Sequence, residues 1–389
     1  MSDRVAIVGV AHSTKGRRLG LSSRQLAVQA AKAAMADAGM GPGDIDGSTM
    51  LWTVDGPQPP GLDVVDSMDL AYMLGIGPLN WWASFCGPSY IGAAVQAVAA
   101  IRSGFCHTVL TTRVVRQIMS VSELLTAEPS ARLAADDLQF SAPFGSVWPA
   151  QSIAGLAAQR HMDVYGTTEE DFGRHVIAQR EWASHNPDAI HRTPLTMDDY
   201  LNSPYISTPV RVLDCDYPVD SASSVIYTTE ERAHSFAKKP IFVESAAFSS
   251  VKYATFEYLD DLLDNAPEHC SKTLWERTTA KPSDLDLVGL YDGFTIIVFR
   301  WLEALGICPR GDAGRYISDG HTAVGGKLPL NTDGGACNVG QHHGANFCIE
   351  SVRQLRGDES GNRQIPGAEL ALWTNAVGPY AGAMILAST

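Results

Sequence analysis

The sequence predicts an α/β protein made of two similar βαβ-rich halves around an insertion, and three observations lead there. Short apolar runs alternate with helix-patterned stretches through the first hundred residues. The segments "GPGDIDGSTMLW" (41–52) and "KPSDLDLVGLYD" (281–292) repeat Pro, Asp and Asp at a common offset, pairing Pro42 with Pro282, Asp44 with Asp284 and Asp46 with Asp286. A Gly-rich turn, a helix and a strand then recur in the same order, as "CGPSYIGAAVQAVAAIRSG" before "HTVLTT" and "GQHHGANFCIESVRQLRG" before "ELALWTN". One short match arises easily by chance; two in the same order do not.

Taken in order, "RVAIVGVA" reads as a buried strand. "SSRQLAVQAAKAAMADAG" carries apolar residues at helical spacing, with Ser22 or Ser23 as N-cap and Gly39 as the stop. A strand follows at "STMLWTV", a helix over 89–102 and a strand at "HTVLTTRV". Residues 116–220 are polar and Pro-containing, with helical stretches such as "TEEDFGRHVIAQREWASHN" and few strand signals. They read as an inserted loop or cap domain. Strand character resumes at "SSVIYTT" and "KPIFVESAAF". The expected division is a first half of 1–115 with 221–238, an insertion of 116–220, and a second half of 239–389.

Bulk properties exclude several classes. A chain of 389 residues with 45% hydrophobic content buries a large core. The net charge is −14 and no basic block occurs, which argues against a nucleic-acid partner. The longest apolar runs stop near about a dozen residues, too short to span a membrane. "MSDRVAIVGV" enters a strand at once, as a cytoplasmic protein would, without the pattern of a signal peptide. The seven scattered cysteines fit reduced thiols. No CxxC or HExxH occurs, and the adjacent His342 and His343 lack the i, i+4 spacing of a shared metal, so no metal site is expected.

Two Gly-rich turns at equivalent positions of two halves meet if the halves pack about a pseudo-twofold axis. Each opens a helix, whose free N–H groups and positive potential suit an oxyanion or a phosphate. The active site is expected there. Cys86, ahead of the first helix, is either a thiol made reactive by the dipole or a small residue packing a turn.

With these residues in view, the chain resembles the thiolase superfamily, in its sterol-carrier or lipid-transfer-protein branch. The resemblance rests on the two halves, "YGTTEEDF", "NPDA", "PLTMDDYLNSPYISTPVRVLDCDYPVDSASSVIYTT", "YDGFT" and "LPLNTDGGACNVGQHHGAN". It implies a five-layer α/β/α/β/α fold, a dimer and an acyl-CoA ligand. Thiolases use a Cys nucleophile at the first helix, a His in a GHP-type turn and a second Cys near the C-terminus. Counting back from Ile101 and Gly104 puts the nucleophile position on Gly87, one residue past Cys86. The GHP-type His position falls on Gln341, and "LWTNAVGPYAGAMIL" has no cysteine.

The chain is similar in this respect to the steroid side-chain-cleaving acyl-CoA aldolases, which carry Gly at the nucleophile position, a "YDGF"-like segment and a "GYVHG"-like turn. Gly87, Tyr291 and His343 match; Gln341 stands where that group has a second Tyr. The resemblance implies retro-aldol cleavage of a β-hydroxyacyl-CoA, with a steroid as the expected acyl group, to a ketone and a short acyl-CoA. It also implies a small OB-fold partner of the DUF35 type in a heterotetramer. Coenzyme A enters as part of the substrate, and no permanently bound cofactor is expected.

Tyr291 and His343 are the expected catalytic residues, His343 because imidazole exchanges protons near neutral pH. Backbone N–H groups at Gly87 and Gly344 are expected oxyanion donors. Gln341, His342 and Asn346 are expected to position substrate; Asn346 either orients a neighbour or caps the helix. Asp292 reads more readily as a turn or cap residue than as a base. Two alternatives stand beside the aldolase: a thiolase or acyltransferase acting through Cys86, and a non-catalytic acyl-CoA-binding subunit.

Overall fold

The computed structural model describes residues 4–52, 65–85, 90–116, 149–251, 261–263, 266–359, 361–375 and 378–389. Strand β1 (Val5–His12) leads to α1 (Ser23–Ala38), whose ends are set by its sequence. Ser22 Oγ accepts the Gln25 N–H, and Gly39, left-handed at φ 66°, closes the helix. There follow β2 (Gly47–Trp52), α2 (Ser67–Leu74), β3 (Trp81–Phe85), α3 (Tyr90–Arg102) and β4 (Thr108–Val115). The next segment holds α4 (Pro149–Tyr165), α5 (Glu169–Ser184), α6 (Met197–Leu201) and the two short strands β5 (Tyr205–Ser207) and β6 (Val210–Arg211). β7 (Ser221–Thr229), α7 (Glu230–Ala233) and β8 (Ile241–Ser250) return to the sheet. The chain ends with α8 (Ala266–Trp275), β9 (Leu287–Gly289), α9 (Thr295–Ala304), α10 (Ala313–Ser318), α11 (Ala336–Val339), α12 (Ala345–Arg356), β10 (Leu370–Asn375) and β11 (Tyr380–Ala387).

Among the described residues the main sheet has nine strands in the order β3-β2-β4-β7-β1-β8-β11-β10-β9. Apart from β3, the order β2-β4-β7-β1 of one half recurs as β9-β10-β11-β8 in the other. In each half the first two strands are parallel and the rest antiparallel. The halves join where β1 and β8 run antiparallel, with Ala6 opposite Phe242 and Ile7 opposite Ile241. That is the pairing a pseudo-twofold axis requires.

The Pro-Asp-Asp repeat is one device used twice. Pro42 and Pro282 each begin a single 3₁₀ turn; Asp44 Oδ2 accepts the Gly41 N–H, and Asp284 Oδ2 the Lys281 N–H. Asp46 then accepts the N–H groups of His107 and Thr108 at the start of β4, and Asp286 those of Glu369 and Leu370 at the start of β10. The repeated residues therefore pin the second parallel strand of each half to the first.

Among the described residues the three large apolar clusters give five layers. α1 and α2 cover the first half from outside through Leu26, Ala30 and Leu70. α3 and α12 lie between the halves and touch strands of both, through Ala94, Val98, Phe347 and Val352. α8 and α9 cover the second half through Leu274 and Phe299, and α4 and α5 join that cluster through Ala158, Phe172 and Val176. Among the described residues no helix is long and apolar enough to cross a membrane.

Candidate active site

The two helix N-termini meet. The Tyr90 N–H at the start of α3 donates to the His343 carbonyl, and the Ile91 N–H to Asn375 Oδ1, both at 3.3 Å. Asn375 ends β10, and its amide lies against Gly344, the N-cap of α12. A Cβ at Gly344 would fall 2.4 Å from Asn375 Cγ, and its φ of 88° independently demands glycine. Asn375 Nδ2 is buried without a partner. A hydrogen-bond donor thus stands unused between the helix N-termini.

His343 is left-handed at φ 49°, uncommon for a residue with a Cβ, and only 9% exposed. Arg113 of β4, itself buried, donates through Nη2 to His343 Nδ1. A guanidinium only donates, so Nδ1 must accept and the ring proton sits on Nε2. The arrangement makes His343 a hydrogen-bond donor rather than a base.

Tyr291 follows the end of β9. Its N–H donates to Thr374 Oγ1 at 3.0 Å, one residue before Asn375, and its ring meets Phe347 of α12 edge-on at 6.5 Å. The phenol passes over Gly293, where a Cβ would lie 2.8 Å from the Tyr291 hydroxyl. Tyr291, Asn375 and Arg113 therefore all come from the carboxyl ends of parallel strands, the usual place for ligands in α/β sheets.

The structure brings Tyr291, His343 and Gly344 to one region and sends His342 and Asn346 elsewhere. Those two line a polar cavity of about 410 Å³ together with His12, Lys15, Asp333 and Arg353, whose walls include neither Tyr291 nor His343. His342 Nδ1 lies 3.1 Å from Ser223 Oγ and 3.2 Å from Ser221 Oγ, and its ring packs 4.5 Å from His12. Burial holds both imidazoles well below their ordinary pKa and hence neutral. Asn346 donates to Asp333 Oδ2 at 3.0 Å, so it orients a neighbour rather than capping α12. His342 and Asn346, expected to position substrate, thus face this cavity and not the region of Tyr291. Gln341 donates its N–H to the Tyr217 carbonyl. Cys86 and Gly87 lie outside the described residues.

None of the described cysteines is poised as a thiolate. Burial pushes Cys106, Cys270, Cys308 and Cys348 up to about 12, and raises Cys215 and Cys337 strongly as well. All six are unpaired. No group of three or more His, Cys, Asp or Glu among the described residues is placed to hold a metal ion.

Three residues of this region escaped the sequence reading. Arg113 was inside a strand, although a lone cation in the run "VLTTRVV", all of it buried, is a usable signal. Asn375 gave none, since it matters only through Gly344 and Ile91. Asp292 looked like a cap, and its Oδ1 does accept the Ala336 N–H at the start of α11. Its Oδ2, however, is buried without a partner.

A duplicated five-layer sheet with two central helices meeting end to end is the architecture of the thiolase superfamily. Residues 249–387 match the family model described as Thiolase C-terminal domain-like. The chain is 33% identical to a 17-hydroxy-3-oxo-4-pregnene-20-carboxyl-CoA lyase of Mycobacterium tuberculosis, over 99% of this chain and all of that one. It is also 33% identical to a steroid side-chain-cleaving aldolase of Thermomonospora curvata, over 90% of each. Among solved structures it superposes on the Ltp2-ChsH2(DUF35) aldolase with TM-score 0.86 at 30% identity, covering 99% of this chain and 98% of that one. Human mitochondrial 3-ketoacyl-CoA thiolase, at TM-score 0.69 and 16% identity, shares the fold. The chain belongs to the thiolase superfamily, in its lipid-transfer-protein-like branch of carbon–carbon lyases of the aldolase type.

Proposed function

We propose that the protein cleaves a β-hydroxyacyl-CoA by a retro-aldol step, the acyl group being a steroid side chain, to yield a ketone and a short acyl-CoA such as propionyl-CoA or acetyl-CoA. The observation that carries this reading is His343, fixed by Arg113 as an Nε2–H donor where two helix N-termini meet. The relatives of known activity support the same chemistry. A base removes the β-hydroxyl proton, the bond between the α- and β-carbons breaks, and the ketone departs. The electron pair passes into the thioester as an enolate, and a proton then reaches the α-carbon.

No step needs an acyl-enzyme, in keeping with the high-pKa thiols among the described residues. His343 Nε2–H, Asn375 Nδ2 and the Gly344 N–H are the donors for the enolate oxygen; such donors contribute roughly 3 kcal/mol each. Tyr291 exchanges the proton. Coenzyme A takes part only as a portion of the substrate.

A small OB-fold protein of the DUF35 type is the proposed partner, by analogy with the complex of the solved aldolase. The heterotetramer is built on a homodimer of this chain. Among the described residues strand β3 is an edge of the sheet, and at it Trp82, Tyr72 and Met68 are exposed by 52%, 87% and 50%. A second copy of the same strand is self-complementary there.

The test is a product assay with 17-hydroxy-3-oxo-4-pregnene-20-carboxyl-CoA and simpler β-hydroxyacyl-CoA esters, with and without a co-expressed DUF35-type protein. A steroid ketone and an acyl-CoA in equal amounts are expected. Release of free CoA alone, or a labelled acyl group trapped on Cys86, overturns the reading.

A further inference from the structure

Asp292 lies between Tyr291 and Gly293 and is fully buried. Its Oδ1 accepts the Ala336 N–H at 3.0 Å, while Oδ2 has no partner. Gln179, on α5 of the inserted segment, is in a matching position. Its Nε2 donates to the Leu330 carbonyl at 3.1 Å, and its buried Oε1 has no partner. Both orphans converge on Gly335: Asp292 Oδ2 and Gln179 Oε1 lie 2.1 and 3.1 Å from the point its Cβ would occupy. Two buried acceptor oxygens brought to the same point are costly when neither is given a hydrogen, and a single proton between them removes both penalties.

We propose that Asp292 is a positioning residue held as a neutral carboxylic acid, Oδ1 accepting the Ala336 N–H and the Oδ2 proton donated to Gln179 Oε1. This rests on the assignment of Tyr291 and His343 to the active site. One side is covalently next to Tyr291; the other is the N-terminus of α11, which runs directly into the turn that carries His343. The carboxyl therefore sets the two catalytic groups relative to each other, and Gln179 ties both to the inserted segment.

The ionisable groups around it favour the neutral form. Asp333 lies across Gly335, the Cys337 thiol donates to Asp292's own carbonyl, and Asp214 and Asp216 act on that thiol from the 212–216 turn. Arg180 of α5 is turned to Asn338 and the Thr193 carbonyl. Burial, above all, pushes the Asp292 carboxyl up to about 7, with Asp333 adding to it, against hydrogen bonds from the Ala336, Cys337 and Asp292 backbone N–H groups that favour the charged form. In the unfolded chain it titrates near 4, so its ionisation opposes folding progressively between these values and by a constant amount above them.

Wild type, Asp292→Asn, Asp292→Ala and Gln179→Leu are compared by kcat/KM and by Tm from pH 5 to 9. Asn accepts from Ala336 and donates to Gln179 at every pH. Asp292→Asn is expected to keep wild-type kcat at pH 6 within about threefold and to lack the alkaline fall that wild type shows through about pH 7. Asp292→Ala is expected to lose about a hundredfold in kcat at every pH with KM little changed. Gln179→Leu is expected to raise the alkaline loss by exposing the acid to ionisation. The Tm difference between Asp292→Asn and wild type grows from pH 5 to 7 and then levels, and an infrared carboxylic-acid band present in wild type vanishes in Asp292→Asn. The infrared and Tm readouts need no substrate, so they stand if the aldolase reading fails. A pH-independent Tm difference, or no acid band at pH 6, overturns the proposal.

Discussion

Because Arg113 donates to His343 Nδ1, protonating the ring at that nitrogen would break the bond, and the imidazole is committed to giving a hydrogen bond from Nε2. His343→Ala should therefore lower kcat/KM by about a hundred- to a thousandfold, mostly in kcat, as removal of an oxyanion donor does. Arg113→Met should lower it by about tenfold, since the ring remains but no longer has a fixed tautomer. Steady-state kinetics on the β-hydroxyacyl-CoA decide this, and a loss below about threefold for His343→Ala would refute the donor role. Gly344→Ala should fail more completely, because the added methyl meets both a left-handed backbone and the Asn375 amide. At this scale the sequence pointed to the turn but not to which way its side chains face. His342 and His343 are neighbours of equal chemistry; a left-handed φ at the second sends one to Arg113 and the other to Ser221 and Ser223. Nothing local in "GQHHG" determines that, because the partners are more than a hundred residues away.

Among the elements, the clamp at Asp46 carries a clear pH signature. Desolvation raises its carboxyl, but hydrogen bonds from the Thr108 N–H, the His107 ring and N–H, and Asn80 outweigh it and leave the pKa below the ordinary value. Its stabilisation is thus complete above the unfolded pKa near 4 and fades as pH falls through the lower folded value. Asp46→Ala should cost about 2–3 kcal/mol at pH 7 in denaturant unfolding, with the difference from wild type shrinking below about pH 4. A constant difference down to pH 2 would show that packing, not the charged acceptor, is responsible. The same device made the duplication legible, since Pro, Asp and Asp act on turns only a few residues away and must recur wherever the turn does. α1 was legible for a similar reason, its Ser22 and Gly39 signals being local. β3 and β9 were not: five residues of "WWASF" and three of "LVG" are too short for periodicity, and the sheet alone makes them strands.

For the molecule as a whole, the pseudo-twofold axis gives each half the same strand order but not the same surroundings. The segment between β4 and β7 packs α4 and α5 on the outer layer of the second half, and among the described residues the first half instead extends by one strand, β3, at its far edge. An edge strand presents unpaired N–H and C=O groups, and proteins ordinarily blunt such an edge with charge, proline or a covering element. Here the flanking side chains are large and apolar: Trp82 on the strand and Met68 and Tyr72 on the adjoining α2. A twofold related copy satisfies the backbone of both edges at once and buries two indoles, with hot-spot residues of this kind contributing about 2 kcal/mol or more each. Wild type should therefore elute as a dimer in light-scattering chromatography at micromolar concentration. Trp82→Lys places a cation at the centre of the contact in both copies, and should weaken dimerisation at least a hundredfold while the monomer keeps its helical circular dichroism. Asp69, half-buried beside Tyr72 and paired with Arg24, gives the control: Asp69→Asn should leave the dimer intact. A monomeric wild type, or a Trp82→Lys protein that remains dimeric, would place the interface elsewhere.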